Sequence, residues 1–309
     1  MLPTRLTCLR RAPHLDAHLW IVLWGLLLLG AGLSCSRPAH ALDLDAGDYV
    51  PAAAGTTLGL LYLQQAEREH LYRDGHRLAG SPGLDSQIGI LRVVHYADLG
   101  GYRVAPQILL PFGRLDGRHD GNVLGDSSGL ADPILAMPVW LLNQPEQRRF
   151  FAITPYLFVP VGRYDHDQPL NLGENRWKLT LQAGYVTGIG DKLALDLAAD
   201  VTFYEDNDSY GAQKWHHEQK PSYQYQGFLR YPLNDTLDLR AGLSWQHGGE
   251  NCLESSWLND SQRTGKWSAG FAWFFRPGSQ LAATVGRDLT VDNGFREESR
   301  INLRLLQVF

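Results

Sequence analysis

The chain ends Arg300-Ile301-Asn302-Leu303-Arg304-Leu305-Leu306-Gln307-Val308-Phe309. In an extended strand alternate residues point to opposite faces. Ile301, Leu303, Leu305 and Phe309 therefore share one face, and Arg300, Asn302 and Arg304 share the other. One face suits hydrocarbon and the other suits water. Gln307 breaks the apolar face once. Two structures accept such a strand: the edge of a soluble β-sandwich, and a strand that crosses a membrane with lipid on one side. The rest of the chain decides between them.

The chain has 309 residues and a formal charge of -5, with no basic excess that would suit a nucleic-acid partner. Its one continuously apolar stretch, Trp20 to Leu33, is shorter than the roughly 20 residues a spanning helix needs. Arg5, Arg10 and Arg11 precede it and Ala39-His40-Ala41 follows it. A basic start, an apolar middle and a small-x-small site read as a secretory signal peptide for the Sec pathway, cleaved after Ala41. Leu33-Ser34-Cys35 is part of a lipoprotein box, but Gly32 stands where an aliphatic residue is usual. Once residues 1–41 are removed, Cys252 is the one cysteine left, so the fold has no internal disulfide. No spacing of Cys and His suggests a metal site, and nothing points to a cofactor.

From Thr56 onward the sequence divides into two-faced strands separated by turn chemistry. Leu193, Leu195, Leu197, Ala199, Val201 and Phe203 oppose Lys192, Asp196, Asp200 and Thr202. Leu237, Leu239, Ala241, Leu243 and Trp245 oppose Asp238, Arg240, Ser244 and Gln246. Trp177, Leu179, Leu181, Ala183 and Tyr185 oppose Lys178, Thr180 and Gln182. Trp267, Ala269, Phe271, Trp273 and Phe275 form another apolar face. The first half is less regular, and Pro106, Pro133, Pro138, Pro155 and Pro160 predict kinks or bulges there. Short turns, such as Asp98 to Gly101 and Gly188 to Asp191, alternate with long polar loops, such as Gly162 to Glu174 and Glu205 to Pro221.

That alternation, with an export signal and a terminal aromatic residue, predicts an all-β protein: an antiparallel up-and-down transmembrane β-barrel of about twelve strands, with short periplasmic turns and longer extracellular loops. The division is signal peptide 1–41, periplasmic lead 42–55 and barrel 56–309. Barrel closure is forced, because a lipid-facing backbone group left unpaired costs several kcal/mol. Trp140, Trp177, Trp245, Trp267 and Trp273 suit the headgroup girdles. Arg287 falls in the apolar register of Leu281, Ala283, Val285, Leu289 and Val291, so either a bulge turns it inward, the favoured reading, or that part of the strand lies above the membrane. The last strand resembles the C-terminal strand of Gram-negative outer-membrane barrels, which the barrel-assembly machinery recognises through a residue such as Phe309.

Pro160-Val161-Gly162-Arg163-Tyr164 and Leu170-Asn171-Leu172-Gly173-Glu174-Asn175-Arg176-Trp177 resemble the MetA-pathway of phenol degradation family, outer-membrane transporters of Proteobacteria. Asp48-Tyr49-Val50-Pro51, Gly129-Leu130-Ala131-Asp132, Asp206-Asn207-Asp208 and Gly286-Arg287-Asp288 resemble it too. Val161 and Ala131 depart from the family's pattern, where Thr and Gly are common. The resemblance implies uptake of hydrophobic or aromatic compounds.

Inward positions carry both signs: Lys178, Lys192, Asp196, Asp200, Arg230, Asp238, Arg240, Lys266 and Arg304. They read either as an ion-pair mesh that fills the lumen or as charged rings along a path that selects solutes. Tyr204, Phe228 and Phe274 also point inward, as an apolar rung for an aromatic solute or as packing. Asn171, Gly173, Asn175 and Trp177 suit a fixed loop folded over the mouth. The lead 42–55, with Asp43, Asp45 and Asp48, reads as a plug or as a disordered stub. His216, His217 and His247 lie near Ser209 or Ser244 in sequence, but nothing fixes a nucleophile to a base. The chain is therefore read as a non-enzymatic channel for a small hydrophobic solute, in contact with outer-membrane lipid and lipopolysaccharide. A closed structural or partner-binding barrel is the alternative, and a rim hydrolase the third.

Overall fold

The structure, a computed structural model, describes residues 43–309, so the signal segment and Cys35 lie outside the described residues. Twelve antiparallel strands form the barrel: β1 (Thr57–Glu67), β2 (Pro82–His95), β3 (Gln107–His119), β4 (Ile134–Ala136 continued by Val139–Gln144), β5 (Arg149–Phe158), β6 (Lys178–Ile189), β7 (Leu193–Tyr204), β8 (Ser222–Pro232), β9 (Leu237–Gly248), β10 (Gln262–Arg276), β11 (Ser279–Val291) and β12 (Ser299–Val308). Each pairs with its sequence neighbours, and β12 closes onto β1 in the register Leu58↔Val308 to Glu67↔Ser299. Closure leaves no free edge, which is the condition for a sheet in lipid.

The faces separate the two readings of the terminal strand. Leu179, Leu181, Leu197, Phe203, Leu239, Leu243, Leu303 and Leu305 are exposed. Thr180, Gln182, Asp196, Asp200, Gln224, Gln226, Arg240 and Arg304 are buried. A soluble sandwich buries the apolar face of each strand. Here the buried face is polar and the exposed face apolar, which is the pattern of a barrel with lipid outside.

Proline acts where the sequence suggested. Pro138 interrupts β4, whose upper part pairs with β3 while Val139 pairs with Val104 of a small hairpin. That hairpin, Ala97–Leu99 with Tyr102–Val104, turns through Gly100 and Gly101, both at positive φ. Two successive left-handed residues make the tight turn that matches strand twist. Pro155 stays inside β5, opposite Leu181.

Three expectations need correction. Trp140 does not join a girdle: it is 2% exposed, points into the barrel and donates Nε1–H to the Tyr49 carbonyl at 2.9 Å. It shares strand parity with buried Ile134 and Ala136. Arg287 faces outward and is exposed, opposite Trp267. A bulge exists, but its extra residue is Leu289, because Gly265 pairs with Thr290 and Lys266 with Asp288. Asp288 points inward with the other even positions of the strand before the bulge, and past it Val291 turns inward and Thr290 outward. Lys192 is no lumen residue; it lies exposed in the β6–β7 turn, 5.9 Å from the Tyr231 ring.

Outer loops carry structure of their own. His70–Arg73, His76–Arg77 and Gly294–Arg296 form one small sheet, and Asn207–Tyr210, Trp215–Gln219, Asn251–Leu253 and Ser256–Trp257 form another.

Candidate functional site

Residues 43–55 enter the barrel beside the first residue of β1 and climb its interior. Near the entry, the Arg103 guanidinium donates to the Ala52 carbonyl and Gly55 N–H donates to the Tyr96 carbonyl. Higher up, a tight turn bonds Asp48 N–H to the Asp45 carbonyl and Val50 N–H to the Gly47 carbonyl, both at 3.0 Å. Leu44 N–H reaches Gln226 Oε1 on β8 at 2.9 Å. Leu44 and Tyr49 are buried with Leu60, Val94, Tyr96, Trp140, Phe150 and Val186, so the segment supplies part of an apolar core inside the barrel.

Tyr49 has a seat cut for it. Its ring lies over Gly184, where a Cβ atom would come within 2.1 Å of the ring. Its hydroxyl donates to Gln182 Oε1 at 2.8 Å and meets Thr154 Oγ1 at 3.0 Å. Gly47, at φ +94, passes the Arg230 guanidinium; an ideal Cβ there would sit 3.5 Å from Nη1.

The three aspartates of the segment meet wall arginines. Arg300 donates to Asp43, which also accepts from Gln224 Nε2 at 3.0 Å. Arg304 donates to Asp45 at 2.8 Å and to Asp48 at 3.3 Å. Arg92 donates to Asp48 at 2.9 Å. Other wall charges pair on the wall itself: Arg230 grips Asp196 at 2.5 and 3.0 Å, and Arg240 grips Asp238 at 2.6 and 3.1 Å. Arg240 still donates to the Ala46 carbonyl at 2.9 Å. Asp200 accepts from Gln182 Nε2 at 3.0 Å. Near the outer end, Lys178 donates to Glu174 at 2.5 Å and lies 4.3 Å from the Phe158 ring centroid.

The aromatic residues do not form one rung. Tyr204 is at the outer end of β7, where its hydroxyl meets Ser222 at 2.7 Å and Arg176 covers its ring at 4.6 Å. Phe228 is six residues further along β8, against Gly242. Phe274 is at the periplasmic rim beside the β10–β11 turn and is exposed. At roughly 3.4 Å of rise per residue the three stand at three levels of the barrel.

A cavity of about 80 Å³ remains between residues 43–46 and the wall of β9, β10 and β11; Phe228, Gln226, Arg240, Ser244, Lys266 and Arg300 line it. An apolar cavity of about 150 Å³ accepts benzene. This one is too small for an aromatic ring while the segment is in place.

The outer mouth is stitched by the 171–177 motif. Asn171 closes a turn, donating to the carbonyls of Asp165 and Gln168 and accepting from Asp165 N–H. Gly173 must lack a side chain, because a Cβ would meet the Gly162 backbone at 2.8 Å. Asn175, at φ +55, donates to Asn207 of the β7–β8 loop at 3.0 Å. Trp177 faces outward, and its carbonyl accepts from Glu205 N–H at 2.9 Å. Asp132, not singled out for this role by the sequence, accepts from Gly162 N–H at 2.9 Å and Glu174 N–H at 2.8 Å. It ties the β3–β4 connection to the β5–β6 loop. The Asp sits in a short loop with no nearby charge pattern, so only its place in the family motif flagged it.

Ser244 and His247 lie three apart on β9 and so face opposite sides, Ser244 at the inner cavity and His247 stacked with Tyr223 and Tyr225 outside. His216 pairs with Asp208, and its Nε2 lies 3.3 Å from Glu218. Asp165, His166 and Asp167 bring ligand atoms within 4.8 Å of one another on the loop surface.

The crystal structure of the COG4313 outer membrane channel from Pseudomonas putida F1 is similar over 86% of this chain and 100% of that one, with 39% identity and a TM-score of 0.83. The beta domain of the Bordetella autotransporter BrkA is similar in fold alone, at 10% identity and a TM-score of 0.51 over 82% of this chain and 100% of that one. No protein with a curated description matches. The profile of the family described as "Putative MetA-pathway of phenol degradation" matches residues 71–305. With a closed twelve-strand barrel, apolar outside and polar within, the chain is an outer-membrane protein and belongs to that family.

Proposed function

We propose that the protein is a gated outer-membrane channel for small aromatic or hydrophobic compounds, with residues 43–55 as the gate. The observation that carries this reading is the acidic segment held in the lumen by arginines on β2 and β12. A rigid fill would need no polar grip on a separate segment at the chain's leading end. Membership of a family named for phenol degradation supports the solute class, and likeness to an outer membrane channel supports passage through the barrel. The wall residues work as a charged lining and Phe228 as an apolar contact beside the segment; none is assigned a catalytic task. Phe309 serves as the assembly signal, and the outer mouth contacts lipopolysaccharide.

Reconstitution of the mature chain in liposomes tests the function. Entry of a phenol-like aromatic without entry of a sugar of similar size supports an aromatic channel. Entry of both means a general pore. The gate is tested separately: removing residues 43–53 raises single-channel conductance in planar bilayers, and an unchanged conductance sinks the plug. A closed, partner-binding barrel is the second reading, favoured by the filled lumen and the sheet-forming outer loops. Entry of neither probe, before or after the deletion, would select it.

A further inference from the structure

We propose that the gating segment masks an anion path: once it leaves, the lumen selects small organic anions, and an aromatic carboxylate takes the places that Asp43, Asp45 and Asp48 occupy on the wall arginines. This rests on the gate reading above and names its substrate class.

The argument begins with which charges belong to which piece. Residues 43–55 contain three aspartates and no basic residue. Among the described residues, Arg92 pairs with Asp48, and Arg304 pairs with Asp45 and Asp48; neither has a carboxylate partner on the wall. Arg300 shares its charge between Asp43 and wall Glu297. Arg230 and Arg240 keep Asp196 and Asp238 whether or not the segment is present. Departure of the segment therefore removes three negative charges and leaves two arginines with no counter-charge. Arg300 keeps Glu297 as its one ion pair, shared with Arg68 and Lys266, and the field of the nearby Asp288.

These cations are spread along the path. Arg92 lies three residues from the periplasmic end of β2, Arg304 is midway along β12, and Arg300 is near the outer end of β12. With the segment gone, Arg92 and Arg304 line a water-filled lumen as uncompensated positive charge, which concentrates anions along the path. The guanidiniums also have capacity to spare: Nε of Arg300 and Nε of Arg304 are buried without a hydrogen-bond partner. A planar carboxylate matches the guanidinium fork better than a point anion does. Phe228 lies beside the cavity that Arg300 and Lys266 line, so a carboxylate on the cation would carry its ring toward an aromatic wall. A phenol is the weaker fit, because an unactivated phenolic hydroxyl ionises near pH 10 and stays neutral at pH 7.

The test uses the full mature chain with Asp43→Asn, Asp45→Asn and Asp48→Asn, in planar bilayers under a KCl gradient and then a potassium benzoate gradient. Folding is checked by the heat-dependent gel mobility of the barrel. The expected result is a rise in conductance with a reversal potential shifted toward the anion's equilibrium value in both salts. Adding Arg92→Gln and Arg304→Gln should move the reversal potential back toward zero. A rise in conductance with no shift, or a shift toward potassium, overturns the anion assignment and leaves the gate reading standing. No change in either quantity also overturns it, and the deletion of 43–53 then judges the gate alone. Should the triple variant fail to fold, Asp48→Asn alone must give a smaller shift of the same sign, and its absence overturns the proposal.

Discussion

At the residue scale, the decisive side chains are those that join separate loops. Asp132 accepts two backbone N–H bonds from the loop that carries the 171–177 motif. Hydrogen bonds to a charged acceptor contribute about 1.5–3 kcal/mol each. Asp132→Ala should loosen the outer mouth, read as faster amide exchange at Gly162 and Glu174 with exchange in β6 unchanged. Gly173→Ala should do the same through its clash with the Gly162 backbone. His216 makes a pH-dependent contact at the loop tip. Its hydrogen bond with Asp208, helped by Asp206 and Glu218, raises its pKa above the ordinary histidine value. A raised histidine pKa stabilises fully at pH below the unfolded value and is lost as pH rises through the folded value. Amide protection across 207–219 should therefore fall on going from mildly acidic to alkaline pH, and His216→Gln should flatten that dependence. The inward assignments of Asp196, Asp200, Arg230, Asp238, Arg240 and Arg304 were readable from strand parity alone. Their partners were not, because parity says which way a residue points and nothing about what crosses the lumen to meet it. Lys192 shows the opposite failure: it keeps strand parity but stands one residue before β7 begins, where parity carries no meaning.

At the element scale, strands β6 to β12 were legible because each keeps one mainly apolar and one mainly polar face, broken at single positions such as Arg287 and Gln307. The early strands were harder to read. Pro138 divides β4, and β2 and β3 carry apolar residues on both faces: Val94 of β2 packs against Tyr49 and its neighbours, while Leu109 of β3 packs with Ile134, Ala136, Tyr156 and Phe158 in a second cluster. Leu60, Val94, Trp140 and Phe150 are buried because the segment covers them, so their apolar character records its presence. A reader of β-periodicity alone sees noise where there is a contact. The same element gives a test of the gate that leaves every charge in place. Gly184→Leu would place a side chain where the Tyr49 ring lies. Overpacking of this kind costs about 1–3 kcal/mol, and moving the segment relieves it more cheaply than bending a closed barrel. The variant should show higher conductance with unaltered barrel mobility on gels. If conductance stays at the parent level, the segment is not what closes the lumen.

At the scale of the whole molecule, the fold turns a soluble protein inside out: the polar faces meet in the centre and the apolar faces look outward. Sequence could establish this because the alternation of loop lengths, the terminal strand and the two-faced periodicity all follow from the same requirement of closure in lipid. Deleting Phe309 should lower the amount of folded barrel in the outer membrane, measured against the parent at equal expression, since its ring lies over Gly59 at the closing seam and its backbone pairs with Thr57. The seam has a further meaning for time rather than space. The segment leads directly into β1, the first strand, while Arg300 and Arg304 sit on β12, the last. Asp43 and Asp45 must wait for the last strand before they meet their arginines, whereas Asp48 can already pair with Arg92 on β2. Joining β12 to β1 therefore shuts the wall and brings the cations for Asp43 and Asp45 into place together.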